Sequence, residues 1–206
     1  MNLWEKLPKP FFVLAPMADV TDAAFRRIIC KYGKPDVTWT EFVSADGLAS
    51  PGREVLKIDL MYTESERPIV AQLFTSHPEK MREASKLCAE LGFDGIDINM
   101  GCPVQKALKH NYGVALMGDA NYAADVVRMT VQSSSVPVSV KLRAVEKNET
   151  RQLFHFVDLL VNAGASWICL HPRTAEQKRR GSSDWTQIAE LKKHLQVPLI
   201  GNGDIQ

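Results

Sequence analysis

The segment Gly95-Ile96-Asp97-Ile98-Asn99-Met100-Gly101-Cys102-Pro103 is the clearest indication of the fold, because a short run rich in isoleucine ends there in a polar loop. Such a run predicts a buried strand. Further runs of the same kind lie along the chain at residues 11–17, 37–43, 68–74, 137–143, 167–171 and 197–201. Segments with helical signals separate them. This alternation predicts repeated βα units around a parallel sheet.

The helical segments have recognisable ends and apolar stripes. Residues 153–160 carry the most regular stripe, with apolar side chains three or four positions apart. The first helix is predicted between a cap at Thr21 or Asp22 and a stop at Gly33. Its inner face is predicted to consist of three apolar residues, Phe25, Ile28 and Ile29.

Polar residues at the carboxyl ends of the predicted strands favour a parallel (β/α)8 TIM-barrel type of fold over a doubly wound sheet. A doubly wound dinucleotide fold would carry a GxGxxG motif after the first strand, whereas residues 15–18 read Ala-Pro-Met-Ala. About seven βα units are present, against the eight that close such a barrel. We therefore expect one incomplete barrel domain, residues 1–206, without its final unit. A truncated gene product and a shorter, self-sufficient barrel both fit this pattern.

Composition excludes several classes of protein. The 206 residues include 25 basic and 24 acidic side chains, with 45% hydrophobic residues, which is typical of a globular protein. The net charge of +1 lacks the basic excess of strong nucleic-acid binders. No apolar run is long enough to cross a bilayer, and residues 1–10 lack the order of a signal peptide, so a cytoplasmic location is expected. The four cysteines form no CxxC pair, and neither a metal site nor a disulfide is predicted.

Lys141 is unusual because it interrupts the apolar run of residues 138–142. A strand covered on both faces should be apolar throughout. An unpaired ammonium buried there would lose its proton, so Lys141 requires an anionic or carbonyl-rich partner. A bound ligand and a structural carboxylate are both possible partners.

Cys102 follows the strand at residues 95–100 and begins the longest gap between predicted strands. Long loops inside a compact domain are usually functional. A thiol with an ordinary pKa of about 8.5 is mostly protonated at neutral pH and can act as a general acid. A nucleophilic role would need a neighbouring base. The remaining cysteines are predicted to lie in the core: Cys30, Cys88 and Cys169.

Other features have mainly structural interpretations. Amide and histidine side chains at strand ends often cap helices or bind loop backbone, so each polar strand end taken singly is weak evidence of a site. Residues 178–181 form a basic run that is either a solvated loop or a contact for phosphates near the barrel mouth. Trp4 and Phe11 are expected to fill the floor of the barrel.

Taken together, these motifs resemble the tRNA-dihydrouridine synthases, an FMN-dependent TIM-barrel family. The resemblance spans residues 15–205 and rests on motifs at residues 15–22, 71–74, 97–103, 140–143, 171–174 and 201–205. The Asn-Met-Gly-Cys-Pro motif at residues 99–103 is the most specific. The resemblance implies reduction of a uridine in tRNA to 5,6-dihydrouridine, with NADPH as the reductant.

The resemblance also implies roles for individual residues. FMN would be held by Pro16, Met17, Gln72, Lys141, His171, Asn202, Gly203 and Asp204. Lys141 would neutralise the negative charge of the reduced flavin, and Gln72 would donate to and accept from its uracil-like edge. Asn99 would bind the target uracil, Arg173 would lie near the substrate or a phosphate, and Cys102 would protonate C5. The target base must leave its stack to reach the flavin.

The sequence departs from the family pattern in three places. Residues 110–117 carry Tyr112 where relatives have a small residue, and Tyr112 is expected to narrow the cavity mouth. Pro172 replaces a frequent glycine and removes a backbone donor. The phosphate-binding loop after an eighth strand and the helical carboxyl-terminal domain that grips tRNA are expected to be missing. A flavin oxidoreductase of small molecules and a non-catalytic remnant remain as alternatives.

Overall fold

The strands form one parallel sheet in the computed structural model, which describes residues 7–205. The strand order follows the chain order. The strands are β1 (Thr38–Ser44), β2 (Ile69–Phe74), β3 (Gly95–Met100), β4 (Val138–Arg143), β5 (Trp167–His171) and β6 (Leu199–Gly201). Within the described residues, the sheet is therefore an open part of the predicted (β/α)8 barrel.

Helices connect successive strands, as the alternating pattern predicts. They are α1 (Ala23–Gly33), α2 (Ala45–Leu48), α3 (Arg53–Leu56), α4 (Pro78–Glu90), α5 (Gln105–Lys109), α6 (Ala120–Ser133), α7 (Thr150–Asn162) and α8 (Trp185–His194). Asp22 caps α1 by accepting from the backbone N–H of Phe25 at 2.7 Å, which confirms one of the two predicted caps.

The prediction of a strand at residues 11–17 was wrong. In this segment only Val13 makes a parallel bridge, to Val37 just before β1. The backbone N–H of Leu14 donates to the carbonyl of Val37 at 3.0 Å, but Pro16 has no N–H with which to extend the ladder. The segment thus reaches the sheet through one contact and continues as a loop towards the strand ends.

The sheet separates two hydrophobic layers. The larger layer lies between the strands and helices α4, α6 and α7, where Cys88 is buried as predicted. The smaller layer lies inside the barrel and consists of Val37, Trp39, Val70, Trp167, Cys169 and Ile200. Phe11 packs against this inner layer, as expected for the barrel floor, whereas Trp4 lies outside the described residues. Cys30 is only half-buried, so its assignment to the core was wrong.

Helix α1 does not bury the predicted apolar face. Its one buried residue is Arg26, and Ile28 is 57% exposed. The Arg26 guanidinium lies 2.6 Å from the Glu66 carboxylate, with both side chains fully buried. Arg26 also donates to the carbonyls of Thr21 and Met61. A long-range ion pair, rather than an apolar stripe, therefore fixes the orientation of this helix.

We expect Arg26→Met to be strongly destabilising, because it leaves the buried Glu66 carboxylate and two carbonyls without this donor. Removing one partner of a buried pair typically costs about 3–5 kcal/mol. The matched control is Arg27→Ala, since Arg27 is 48% exposed and lies 3.9 Å from the same carboxylate. Its cost should not exceed about 1 kcal/mol. Denaturant unfolding measures both, and equal losses of stability would contradict this account of α1.

Candidate active site

A cavity of about 1030 Å³ opens at the carboxyl ends of the strands. In a parallel barrel this end is the usual place of the active site. The wall contains most of the predicted site residues: Pro16, Met17, Gln72, Asn99, Cys102, Lys141, His171, Arg173, Asn202 and Gly203. Asp204 is the predicted residue that the wall does not include.

Lys141 is the half-buried position of β4, whose other residues are buried. Its side chain lines the cavity, and within the described residues it makes no ion pair or hydrogen bond. Asp97 on β3 is near enough for the charge of Lys141 to lower its pKa, but the two do not form an ion pair. The ammonium is therefore available to a ligand in the cavity. Of the two partners that the sequence left open for Lys141, the structural carboxylate is therefore wrong: among the described residues no carboxylate forms an ion pair with it.

Four polar side chains form a chain of hydrogen bonds beneath the cavity. Ser139 donates to one oxygen of Asp97, and the amide nitrogen of Gln72 donates to the other at 2.6 Å. The carbonyl of Gln72 accepts from the amide nitrogen of Asn99 at 3.0 Å. Burial raises the pKa of Asp97 to about 6, against the lowering effect of these hydrogen bonds and of Lys141. Much of the hydrogen-bonding capacity of Gln72 is thus used inside the protein.

The loop at Cys102 is held by its backbone. The side-chain oxygen of Asn99 accepts from the N–H groups of Gly101 and Cys102, at 3.1 and 3.0 Å. The carbonyl of Cys102 accepts from Val114 N–H at 3.1 Å. Gly113 has a φ of +60°, and a Cβ there would lie 2.8 Å from the Cys102 carbonyl oxygen. Gly113 therefore lets the next segment pack on Cys102, a role that sequence reasoning missed although a glycine in that loop was a usable signal.

Tyr112 does not line the cavity. It is 6% exposed, and its ring lies 4.4 Å from that of Phe74 between centroids. The expectation that Tyr112 narrows the mouth was therefore wrong. Its ring fills space behind the loop, because Phe74 at the end of β2 offers an aromatic surface.

Three charged or ionisable side chains form one cluster at the ends of β5 and β6. Arg173 donates to both carboxylate oxygens of Asp204, at 2.6 and 2.8 Å, and Asp204 also accepts from Ser183 N–H. Asp204 thus binds Arg173 from outside the cavity wall. Burial is the largest cause that lowers the pKa of His171 to about 4, followed by the charges of Lys141, Arg143 and Arg173. His171 is consequently neutral at neutral pH.

Arg143 is a site residue to which the sequence analysis gave no role, although it is the last residue of the motif at residues 140–143. It lines the cavity, and burial lowers its pKa. Its guanidinium donates to the carbonyls of Gly101, Thr174 and Lys178, at 2.8, 3.2 and 3.0 Å. Arg143 therefore joins the Cys102 loop to the basic loop after β5. Its position two residues after Lys141, on the same side of the strand, was the available signal.

Gly203 occupies a position that admits no side chain. Its φ is +103°, and a Cβ would lie 2.7 Å from both His171 Cδ2 and Ser183 Oγ. Its carbonyl accepts from the indole nitrogen of Trp185, the first residue of α8, at 3.1 Å. The loop after β6 is therefore packed tightly against His171.

The described residues contain no group of side chains able to hold a metal ion. Between residues 7 and 205, no helix is long and apolar enough to cross a membrane.

The parallel βα architecture and the polar cavity at the strand ends place the protein in the TIM-barrel class. Residues 13–206 match the family model described as "Dihydrouridine synthase (Dus)". The chain belongs to the dihydrouridine synthase family.

Curated relatives agree with this assignment. The chain is 37% identical over 195 residues to the "Probable tRNA-dihydrouridine synthase 2" of Bacillus subtilis (strain 168), which covers 93% of this chain and 59% of the relative. It is 41% identical over 200 residues to the "Probable tRNA-dihydrouridine synthase" of Aquifex aeolicus (strain VF5), covering 94% and 61%. The chain thus spans about three fifths of the length of these relatives.

Solved structures share the fold at low sequence identity. A variant of NCR from Zymomonas mobilis superposes with a TM-score of 0.61 at 12% identity, covering 100% of this chain and 80% of that one. A 2,3-dimethylmalate lyase, described as a PEP mutase/isocitrate lyase superfamily member, gives 0.62 at 16% identity, covering 96% and 68%.

The pKa of His171 should respond to its charged neighbours in opposite directions. Lys141→Met removes a positive charge and should raise this pKa from about 4, whereas Asp204→Asn should lower it further. Titration of the imidazole signals by NMR measures both, and Lys86→Met on the exposed face of α4 is the control. Shifts in the same direction would contradict the assigned electrostatics.

The lowered pKa of His171 makes the stability of the fold depend on pH. In the unfolded chain this imidazole takes up its proton near its ordinary pKa of 6.5. The stability contributed by the neutral ring is therefore complete above pH 6.5 and is lost as the pH falls towards about 4.

Proposed function

We propose that this barrel carries out FMN-dependent reduction of a uridine in tRNA to 5,6-dihydrouridine, with NADPH as the reductant. One observation carries the proposal: Cys102 and Lys141 line the same cavity at the strand ends, and no residue between 7 and 205 pairs with the ammonium of Lys141. Membership of the dihydrouridine synthase family supports it. The relatives' printed names supply the substrate class.

The cavity suits a flavin in size and in chemistry. Its volume of about 1030 Å³ lies at the upper end of ordinary ligand pockets. Pro16 and Met17 offer an apolar wall, while Lys141 supplies a positive charge for an electron-rich ring. Neutral His171 and the backbone at Asn202 and Gly203 offer polar contacts. When bound, FMN supplies the hydride that adds to C6 of the uracil, and NADPH restores its reduced state.

Cys102 would supply the proton in this reaction. Its Sγ–H donates to C5, which leaves a thiolate in the cavity wall. Burial lowers the pKa of the Arg143 guanidinium, and a negative charge at nearby Cys102 opposes that lowering. The same attraction stabilises the thiolate until it regains a proton from solvent. The chain provides both the acid and a positive group beside its conjugate base.

The rim of the cavity would receive the nucleotide. Asn99 has one remaining amide hydrogen for the uracil, since its other groups bind Gln72 and the Cys102 loop. Arg173, Lys178, Arg179 and Arg180 line the same cavity. Positive side chains at the mouth suit the phosphates on either side of a flipped base. Local charge, rather than the net charge of +1, would guide RNA to this face.

We expect Cys102→Ala to separate the two halves of the reaction. FMN binding and its reduction by NADPH should stay close to wild type, because neither needs the thiol. The uridine step should slow by about 10²–10⁴-fold, the usual contribution of a general acid. Flavin absorbance, NADPH consumption and dihydrouridine in tRNA from a deficient strain, read by mass spectrometry, measure these steps. Cys30→Ala is the matched control.

Two results would contradict the proposal. A purified protein that takes up no FMN, or that binds FMN and leaves tRNA unmodified, does not have this activity. A protein that reduces free enones or pyrimidines but not tRNA is a small-molecule oxidoreductase. Unchanged turnover in Cys102→Ala would remove the thiol from the mechanism while leaving the substrate assignment intact.

A further inference from the structure

Asp97 is a buried charged group for which the proposed reaction has no direct use. Its side chain is fully buried inside the barrel, so it does not touch substrate in the cavity. It lies at the closed end of the hydrogen-bond chain that runs through Gln72 and Asn99 to the backbone of Cys102. Asp97 and Lys141 both line a second, very small cavity, whereas Gln72 and Asn99 line the main one.

The direction of this chain is set by its two ends. At the loop end, two backbone N–H groups can only donate, so the Asn99 side chain must present its oxygen to them. Its amide nitrogen then faces Gln72, which must present its own oxygen. The nitrogen of Gln72 consequently faces residue 97, which must accept.

A carboxylate satisfies that requirement without ambiguity. Ionised Asp97 has two acceptor oxygens and no donor; Ser139 donates to one oxygen, Gln72 donates to the other, and the indole N–H of Trp39 also donates to this carboxylate. An amide or hydroxyl at this place could reverse and allow Gln72 to turn over. Lys141 lies near enough to favour the ionised form without an ion pair of its own.

We propose that Asp97 is a positioning residue: as the acceptor that closes the chain, it fixes the direction of the Gln72 and Asn99 amides and so holds the main chain at Cys102. The inference rests on the proposed role of Cys102 as the proton donor. Asp97, which does not line the main cavity, would thus control the position of the Cys102 thiol.

The test is an exchange of the two side chains. Asn99→Asp alone places a carboxylate oxygen against the oxygen of Gln72. The two acceptors repel, so the side chain at position 99 should move away from the Gly101 and Cys102 N–H groups that it anchors. In the double variant Asp97→Asn/Asn99→Asp, Gln72 turns over, and Asn at position 97 donates to it while Asp at 99 accepts from it. All partners are again satisfied, with the direction reversed. Asp97→Asn alone should also change the Cys102 rate, in the same direction as Asn99→Asp, because an amide at position 97 can present its nitrogen to Gln72 and no longer fixes the direction of the chain.

The readout is the rate at which iodoacetamide alkylates each cysteine, followed peptide by peptide with mass spectrometry and repeated across pH. Cys102 reports on the loop, half-buried Cys30 reports on a remote site, and buried Cys88 reports on unfolding. Asn99→Asp should change the Cys102 rate by about fivefold or more, and the double variant should return it to within about twofold of wild type. Cys30 should be unaffected throughout.

Rescue of the Cys102 rate in the double variant supports the proposal. Effects of the two substitutions that simply multiply, or a wild-type rate in Asn99→Asp alone, would overturn it. If Asn99→Asp exposes Cys88 by unfolding, the double variant must protect Cys88 again, and failure to do so would also overturn it. The measurement needs neither FMN nor tRNA, so its failure is distinguishable from failure of the proposed function.

Discussion

The charge of Lys141 inside the barrel is the constraint on which the site depends. An ammonium in a strand that is otherwise buried is costly unless something compensates it. No carboxylate in the described part of the chain forms an ion pair with it; Asp97 lies nearby, and Lys141 lines the cavity. The arrangement favours a ligand that brings electron density to this point.

The remaining polar groups are organised around that charge. On one side, Asp97 begins a line of hydrogen bonds that ends at the main chain of Cys102. On another, burial and then the charges of Lys141, Arg143 and Arg173 keep His171 neutral, and Asp204 forms an ion pair with Arg173. Arg143 connects the Cys102 loop to the basic loop at the rim. Hydrogen bonds therefore connect the parts of the site that would bind a flavin, donate a proton and bind phosphate.

Sequence reasoning found most of the cavity wall because strand ends in a parallel sheet converge. Lys141, Cys102 and His171 were each recognisable by residue type and by position after an apolar run. It did not find the buried ion pair of Arg26 with Glu66, because the two positions are forty residues apart and no local pattern signals their contact. For the same reason it misjudged the face of α1. The prediction of a strand at residues 11–17 was wrong because an apolar pattern says nothing about backbone donors, and Pro16 has no N–H to donate.

The role of Lys141 can be measured as the reduction potential of FMN bound to the wild-type chain and to Lys141→Met, with Lys86→Met as the control. If Lys141 neutralises the reduced ring, Lys141→Met should lower the two-electron potential by roughly 30 mV or more, equivalent to about 1.4 kcal/mol, while Lys86→Met should leave it unchanged. An unaltered potential in Lys141→Met, or a wild-type chain that binds no FMN, would contradict the account.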